Sequence, residues 1–402
     1  MTETAERTPL VYIVAGEASG DVLAAGLMKS LKKMTGGRVR FAGVGGDRMA
    51  AEGLTSLFPN SEMAVLGVFE VLPHAPKLLR RISQTVDDIL KLQPDVLLTV
   101  DSKGFNLRVQ KRLFKRRAAG QNVPFPLLHM VAPTVWAWRP GRAKVISTFL
   151  DELLVLFPFE PPYFEEHGLK TTFVGHPASM QPDGDGARLR ARTRIPPKVP
   201  VLGVLPGSRA GEVRRLLPSF GETVRRLAPR YPNMRVVIPT VPGVADMVRE
   251  GVKSWPLQPV ILEDAEDKYD AFSAMNAALA ASGTVTLELA LAGVPTVVGY
   301  KVNPLSVPIG RMLVNMDAVV LANWILKRPV QPFFMQNNCT PEALTVAVAR
   351  LFDDSKARGE SIAAGQALRE VLGTGDIAPS DRAALAVAKA AGIKVPEFPQ
   401  PA

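Results

Sequence analysis

The sequence predicts an α/β protein made of two Rossmann-like, doubly wound parallel-sheet domains facing a cleft. Apolar runs of strand length alternate with helix patterns, separated by Gly-rich or polar turns, as in successive βαβ units. The alternation lapses at "HPASMQPDGDGARLRARTRIPPKVP", which reads as a linker, and then resumes. The 402 residues are too many for one small core. The expected boundaries are a first domain over 1–177, a second over 178–368, and a helical segment over 369–402 packing back on the first.

In order, "LVYIVAG" is a buried strand that ends in the turn Gly16-Glu17-Ala18-Ser19-Gly20-Asp21, followed by a helix to about Met34. Asp21 is expected to cap that helix. "VRFAGVGG" is a strand before a short helix near Asp47, and "KLLRRISQTVDDILKLQ" is helical. "PDVLLTVDSKG" is a strand with Asp101 at its end, "NLRVQKRLFKRRAAG" a basic helix, and "FPLLHMVAP" and "DELLVLFPFE" are strands. Ligands of such sheets bind beyond the carboxyl ends of strands, which singles out Glu17 and Asp101.

The second set opens with "VLGVLPGSRAGEV", where Gly207, Ser208 and Arg209 lie between strand and helix. Free amides at a helix start and a forked guanidinium attract phosphate; the alternative is a surface pair of Arg209 with Glu212. "MRVVIPTVPG" and "QPVILED" are strands. "AASGTVTLELALAG" repeats the design, with Ser282, Gly283 and Thr284 in the turn and Glu288 in the helix. Glu288 either accepts sugar hydroxyls or complements the helix dipole. Neither turn is a P-loop, and "GVGGDRM" lacks the third glycine of a dinucleotide fingerprint. From about Pro341 the chain is helical.

The net charge of +10 suits an anionic partner. Few aromatics and the lack of a zinc-knuckle spacing argue against nucleic acid. A single cysteine, Cys339, excludes an internal disulfide framework and suits a reducing compartment. Asp183 and Asp185 have an acid-x-acid spacing but lie in the linker, and the four histidines are scattered, so no metal is expected. No targeting segment and no run of membrane-spanning length is visible, which suggests a cytoplasmic protein, soluble or surface-bound.

These stretches together resemble the lipid-A-disaccharide synthase family, glycosyltransferases of Gram-negative bacteria. The likeness runs through "AGEASGD", "GVGGDRM", "LGVFEVLPHAPKLLRR", "PDVLLTVDSKGFN", "PTVWAWRPGRAKVI", "FPFEPPYF", "FVGHP", "LPGSRAGEV", "SGTVTLELALAGVPTVVGYKVNPLS" and "LAN", in family order from about Val11 to about Ala349. Lys103-Gly104, Ala322 and Phe333 depart from the family's usual residues.

The resemblance implies a glycosyltransferase-B fold and inverting, metal-independent transfer without a cofactor. Its substrates would be UDP-2,3-diacylglucosamine and 2,3-diacylglucosamine 1-phosphate, and its products the β-1,6-linked disaccharide and UDP. Other readings are a different UDP-sugar enzyme of this architecture, such as a lipid-carrier N-acetylglucosaminyltransferase or an epimerase, and a non-catalytic UDP-sugar-binding protein. On the main reading the first domain binds the acceptor and faces the membrane, and the second binds the donor. Asp101 is the candidate base, with Glu17 orienting the acceptor or acting as base itself. Lys103 would lower the pKa of Asp101. Gly16, Ser19 and Gly20 would line the acceptor site. Arg139 and Arg142 would hold the 1-phosphate or else pair with surface acids. Gly207, Ser208, Arg209, Ser282, Gly283, Thr284, Glu288 and Asn323 would bind UDP; Asn323 has the alternative of capping the helix that "WILK" begins. The stretch 63–82, with Lys77, Arg80 and Arg81, and the basic run Lys111, Arg112, Lys115, Arg116 and Arg117 would face an anionic inner-membrane surface, or else cover the core and solvate a helix face.

Overall fold

The computed structural model describes residues 7–63, 68–181, 183–264, 266–302, 315–373 and 375–395, without the side chains of 68–75 and 317. Contacts divide the chain into two units, Met1–Met180 with Leu372–Ala402, and Gln181–Val371. Residues 64–67, His74 and the end of the matching run at 303–306 fall outside the described residues or side chains.

In the first unit the strands are β1 (Leu10–Ala15), β2 (Arg40–Val44), β3 (Val96–Val100), β4 (Leu127–Met130), β5 (Glu152–Val155) and β6 (Lys170–Phe173). They form a parallel sheet in the order β2-β1-β3-β4-β5-β6. The helices are α1 (Ala18–Thr35), α2 (Asp47–Ala51), α3 (Val68–Leu92), α4 (Lys103–Ala118), α5 (Arg142–Ser147) and α6 (Pro162–Glu165). All six residues of β1 are buried, as a strand covered on both faces requires. Val11 and Ile13 pack with Leu27 and Leu31 of α1, while Tyr12 and Val14 pack with Ile82 of α3 and Val109 of α4. The period of two thus feeds two cores.

The second unit begins with α7 (Gly186–Arg192), inside the stretch expected to be linker. Asp185 caps it by accepting the Arg188 N–H at 2.9 Å, and Leu189 buries its apolar face. One leucine among arginines is too sparse an apolar signal to read from sequence. The strands β7 (Val201–Leu205), β8 (Arg235–Pro239), β9 (Val260–Leu262), β10 (Ala277–Ala281), β11 (Thr296–Tyr300) and β12 (Phe333–Met335) form a second parallel sheet. Its order is β12-β11-β10-β7-β8-β9. Helices α8 (Ala210–Leu227), α9 (Pro242–Val252), α10 (Asp267–Ala274) and α11 (Thr284–Leu291) follow successive strands, and α12 (Leu321–Leu326) and α13 (Pro341–Asp353) complete the unit.

The chain continues through α14 (Ser355–Leu372) to α15 (Pro379–Ala390). Ala383, Ala384 and Val387 of α15 join the first unit's core beside Ala24 and Leu27 of α1.

Candidate functional site

The order of strands reverses between β1 and β3 in the first unit and between β7 and β10 in the second. A sheet of this kind opens a crevice at its carboxyl edge where the order reverses. Each unit carries its own candidate site there.

In the first unit Ala15 pairs with Val100, so the turn after β1 and the residues after β3 emerge side by side. Gly16, Glu17, Ser19, Gly20 and Asp101 come together there. The Ser19 hydroxyl donates to Asp101 Oδ2 at 3.4 Å, and Glu17 is exposed. A Cβ on Gly16 would lie 2.5 Å from Ser102 Oγ. Asp101 and Ser102 both have left-handed backbones, with φ of 51° and 43°. Strain of this kind persists where the surroundings enforce it. Here the enforcing group is the buried Asn106, whose Nδ2 lies within hydrogen-bond distance of the Val14, Val100 and Asp101 carbonyls (2.9–3.2 Å).

Asp21 departs from its expected role. It lies inside α1, and its carboxylate accepts the Gly46, Arg48 and Met49 N–H groups at 2.8, 3.0 and 3.2 Å. It therefore caps α2. The "AGEASGD" and "GVGGDRM" motifs are two halves of one structure, because a Cβ on Gly46 would lie 2.7 Å from Asp21 Oδ2.

Arg139 and Arg142 follow β4 at the same sheet edge. The Arg139 guanidinium lies 4.3 Å from the centre of the Trp138 ring. Neither arginine forms an ion pair among the described residues. Glu160, which follows β5, is a residue that sequence reading missed. It is 2% exposed, and Oε1 accepts the Trp136 indole N–H and Oε2 the Phe157 N–H, both at 3.1 Å. Burial pushes its carboxyl up to about 7, against the opposing pull of those two N–H groups and Lys103. Lys103 opens α4, and its charge also reaches the buried His129.

In the second unit a cavity of about 460 Å³ is lined by Gly207, Ser208, Arg209, Ser282, Gly283 and Thr284. Gly207 has φ of 117°, and a Cβ there would strike Glu212. No N-cap side chain caps α8 or α11, and both helices start at the cavity wall, where the Ser208 N–H donates to Glu212 Oε2 at 3.3 Å. The expected pairing of Arg209 with Glu212 is present at 3.1 Å, yet Arg209 lines the cavity with its side chain 72% exposed. Ser282 Oγ donates to the Val319 carbonyl at 2.6 Å.

Glu288 is held at 2.6 Å by Lys268, and Lys268 rather than Glu288 faces the cavity. Lys268 was also missed, since nothing beside it in "EDKYDAF" announces a ligand-facing cation. The buried Thr240 Oγ1, at the cavity wall, has no hydrogen-bond partner among the described residues. Asn323 is not an N-cap: α12 begins two residues earlier, and the Asn323 amide exchanges two hydrogen bonds with the Gln331 backbone at 2.8 and 2.9 Å. Asp183 pairs with Arg369 at 2.7 Å, so the two linker acids serve separate structural contacts.

The lipid-A-disaccharide synthetase family model matches residues 11–387. The lipid-A-disaccharide synthase of Rhodospirillum centenum is 52% identical over 380 residues, 94% of this chain and 94% of that protein. The kitacinnamycin glycosyltransferase shares the fold with a TM-score of 0.62 at 15% identity, over 96% of this chain and 99% of that one. The UDP-GlcNAc 2-epimerase from Neisseria meningitidis has a TM-score of 0.59 at 13% identity, over 90% and 99%. The two parallel sheets are thus those of the glycosyltransferase-B fold.

Proposed function

Since this chain belongs to the lipid-A-disaccharide synthetase family, a family of glycosyltransferases that form the lipid A disaccharide, we propose that it transfers 2,3-diacylglucosamine from its UDP derivative to 2,3-diacylglucosamine 1-phosphate, with inversion. The observation that carries this reading is the second unit's cavity, where two uncapped helix starts meet Arg209 and Lys268. That set of donors suits a diphosphate leaving group. The Neisseria epimerase of the same fold was solved bound to UDP-GlcNAc, which supports a UDP-sugar in this architecture.

The acceptor's 6-hydroxyl must lose a proton as it attacks the anomeric carbon. Asp101 takes that proton, and Glu17 orients the acceptor from the neighbouring turn. Arg139 and Arg142 hold the acceptor's 1-phosphate as forked donors. Amides and cations meet the charge developing on the leaving UDP, so the reaction proceeds without a metal. Ser282, Gly283 and Thr284 surround the diphosphate with Gly207, Ser208 and Arg209, and Asn323 holds the wall nearby. Glu288 accepts the ribose hydroxyls, and Lys268, its partner at 2.6 Å, meets the phosphates. The chain acts at an anionic membrane surface; among the described residues no helix is long and apolar enough to cross one.

The test uses radiolabelled UDP-diacylglucosamine with and without the monosaccharide phosphate. Disaccharide forms only with both, while an epimerase or a binding protein makes none. Asp101→Ala loses turnover by about 10²–10⁴-fold yet retains UDP, and Glu17→Ala loses less. Full kcat in Asp101→Ala moves the base to Glu17. Arg209→Ala weakens UDP binding by about 10-fold or more, and unchanged affinity removes Arg209 from the phosphate site.

A further inference from the structure

Glu160 is a buried carboxylate outside the reacting groups just assigned, and its two acceptor oxygens face two different loops. Oε1 takes the N–H of Trp136, on the segment after β4, and Oε2 takes the N–H of Phe157, on the segment after β5. The Trp136 ring stands edge-on to Phe157 and Phe159, with centroids 6.3 and 5.2 Å apart. Phe157 stacks on His176 at 5.3 Å. From Trp136 the chain makes two successive tight turns to reach the arginines: Trp138 N–H donates to the Thr134 carbonyl, and Arg142 N–H to the Arg139 carbonyl. Little slack separates the carboxylate from the two guanidinium groups.

We propose that Glu160 is a positioning residue for the acceptor, clamping the segment that carries Arg139 and Arg142 onto the turn after β5 in the geometry that meets the acceptor's phosphate. The inference rests on the reading of those arginines as phosphate holders. The clamp needs both oxygens as acceptors. A protonated carboxyl, like a glutamine amide, has only one oxygen left to accept and turns a donor toward the other N–H. One buried hydrogen bond is then lost, and the loop loosens.

The clamp is therefore sensitive to acid. The charged and titratable groups around it are Lys103 at the start of α4, whose charge also reaches His129 in β4, and His176 after β6, stacked on Phe157. Burial depresses the two histidines to about 4 and about 3, so they stay neutral above pH 6. Lys103 brings a positive charge that favours the carboxylate. Burial outweighs it and raises the Glu160 carboxyl to about 7, so the clamp is set at pH 8 and released by pH 6.

The experiment is steady-state kinetics of the full chain with both sugar substrates. At pH 8, Glu160→Gln should raise the acceptor KM about tenfold and leave the donor KM within about twofold, the loss of one buried charge-assisted bond. Trp136→Phe keeps an aromatic ring, a smaller one, but removes the indole N–H, so it should reproduce the effect even if the first variant folds poorly. The double variant should be no worse than the worse single. At pH 6 the ratio of variant to wild-type acceptor KM should fall toward one. The acceptor's own phosphate titrates near pH 6 but weighs on both proteins alike. Wild-type acceptor KM in both variants at pH 8, or a ratio independent of pH, overturns the clamp. Arg139→Ala and Arg142→Ala separate it from its premise: if they leave the acceptor KM unchanged, the phosphate reading fails. If they raise it while the Glu160 and Trp136 variants do not, that reading stands and the clamp is wrong.

Discussion

The carboxylate of Asp21 accepts three backbone N–H groups at the start of α2, at a site only 5% exposed. These are the orphan donors every helix start leaves, and here one side chain from another helix serves them. Removing it strands three donors where water reaches poorly. Asp21→Ala should therefore lower stability by about 2–3 kcal/mol in urea unfolding, with Asp21→Asn milder because one oxygen still accepts. Equal loss in the two variants would mean that packing rather than acceptance holds α2. The same logic separates Asp21 from its neighbours in the opening turn: Glu17 and Ser19 are exposed at the sheet edge, while Asp21 is consumed by the fold.

At the scale of elements, β1–α1, β3–α4, β7–α8 and β10–α11 were legible because their signals are local. An apolar run, a Gly or Ser turn and an amphipathic stretch lie next to one another in the chain. Asp21 caps a helix 25 residues on, and Glu160 meets Trp136 across 24 residues, so neither role has a local signature. The same holds for Lys268, aimed into the cavity by an ion pair with the next helix but one strand away. Helix α4 shows how structure sorts a run that sequence leaves undivided. Arg117 pairs with Asp151 at 3.0 Å and Arg116 with Asp87 at 3.7 Å, and Arg112 donates to Ser83. Lys111 and Lys115 are exposed, four residues apart on one face, and form no ion pair among the described residues. At about 1 kcal/mol per basic residue near an anionic surface, reversing both with Lys111→Glu and Lys115→Glu should cut flotation with phosphatidylserine vesicles at low salt by about tenfold or more. If binding persists, the membrane face lies elsewhere.

Taken whole, the molecule is basic, with a pI near 9.7, and its apolar cores enclose a few ionisable groups. The ionisable groups sealed into the first unit set its response to acid. His129 and His176 are held at about 3 and about 4 by burial, below their ordinary 6.5. The unfolded chain takes up their two protons first, so the stability they carry is present above pH 6.5 and is lost as pH falls through the window below it. Glu160 has the opposite sign. Its carboxyl is raised to about 7 from 4.5, so its native state holds a proton that the unfolded chain has released, and its contribution grows as pH falls from 7 toward 4.5. Between pH 6.5 and 4.5 these three groups leave the unfolded state ahead by about one proton, so stability slopes downward as pH falls. Glu160→Gln removes the opposing proton and should roughly double that slope, even if the variant starts with a different stability at pH 7. Calorimetry at pH 6.5, 5.5 and 4.5 would show the variant's unfolding transition falling faster than that of the wild type. Parallel falls would mean that Glu160 is ionised in the native protein throughout this range, and that the histidines alone set the loss.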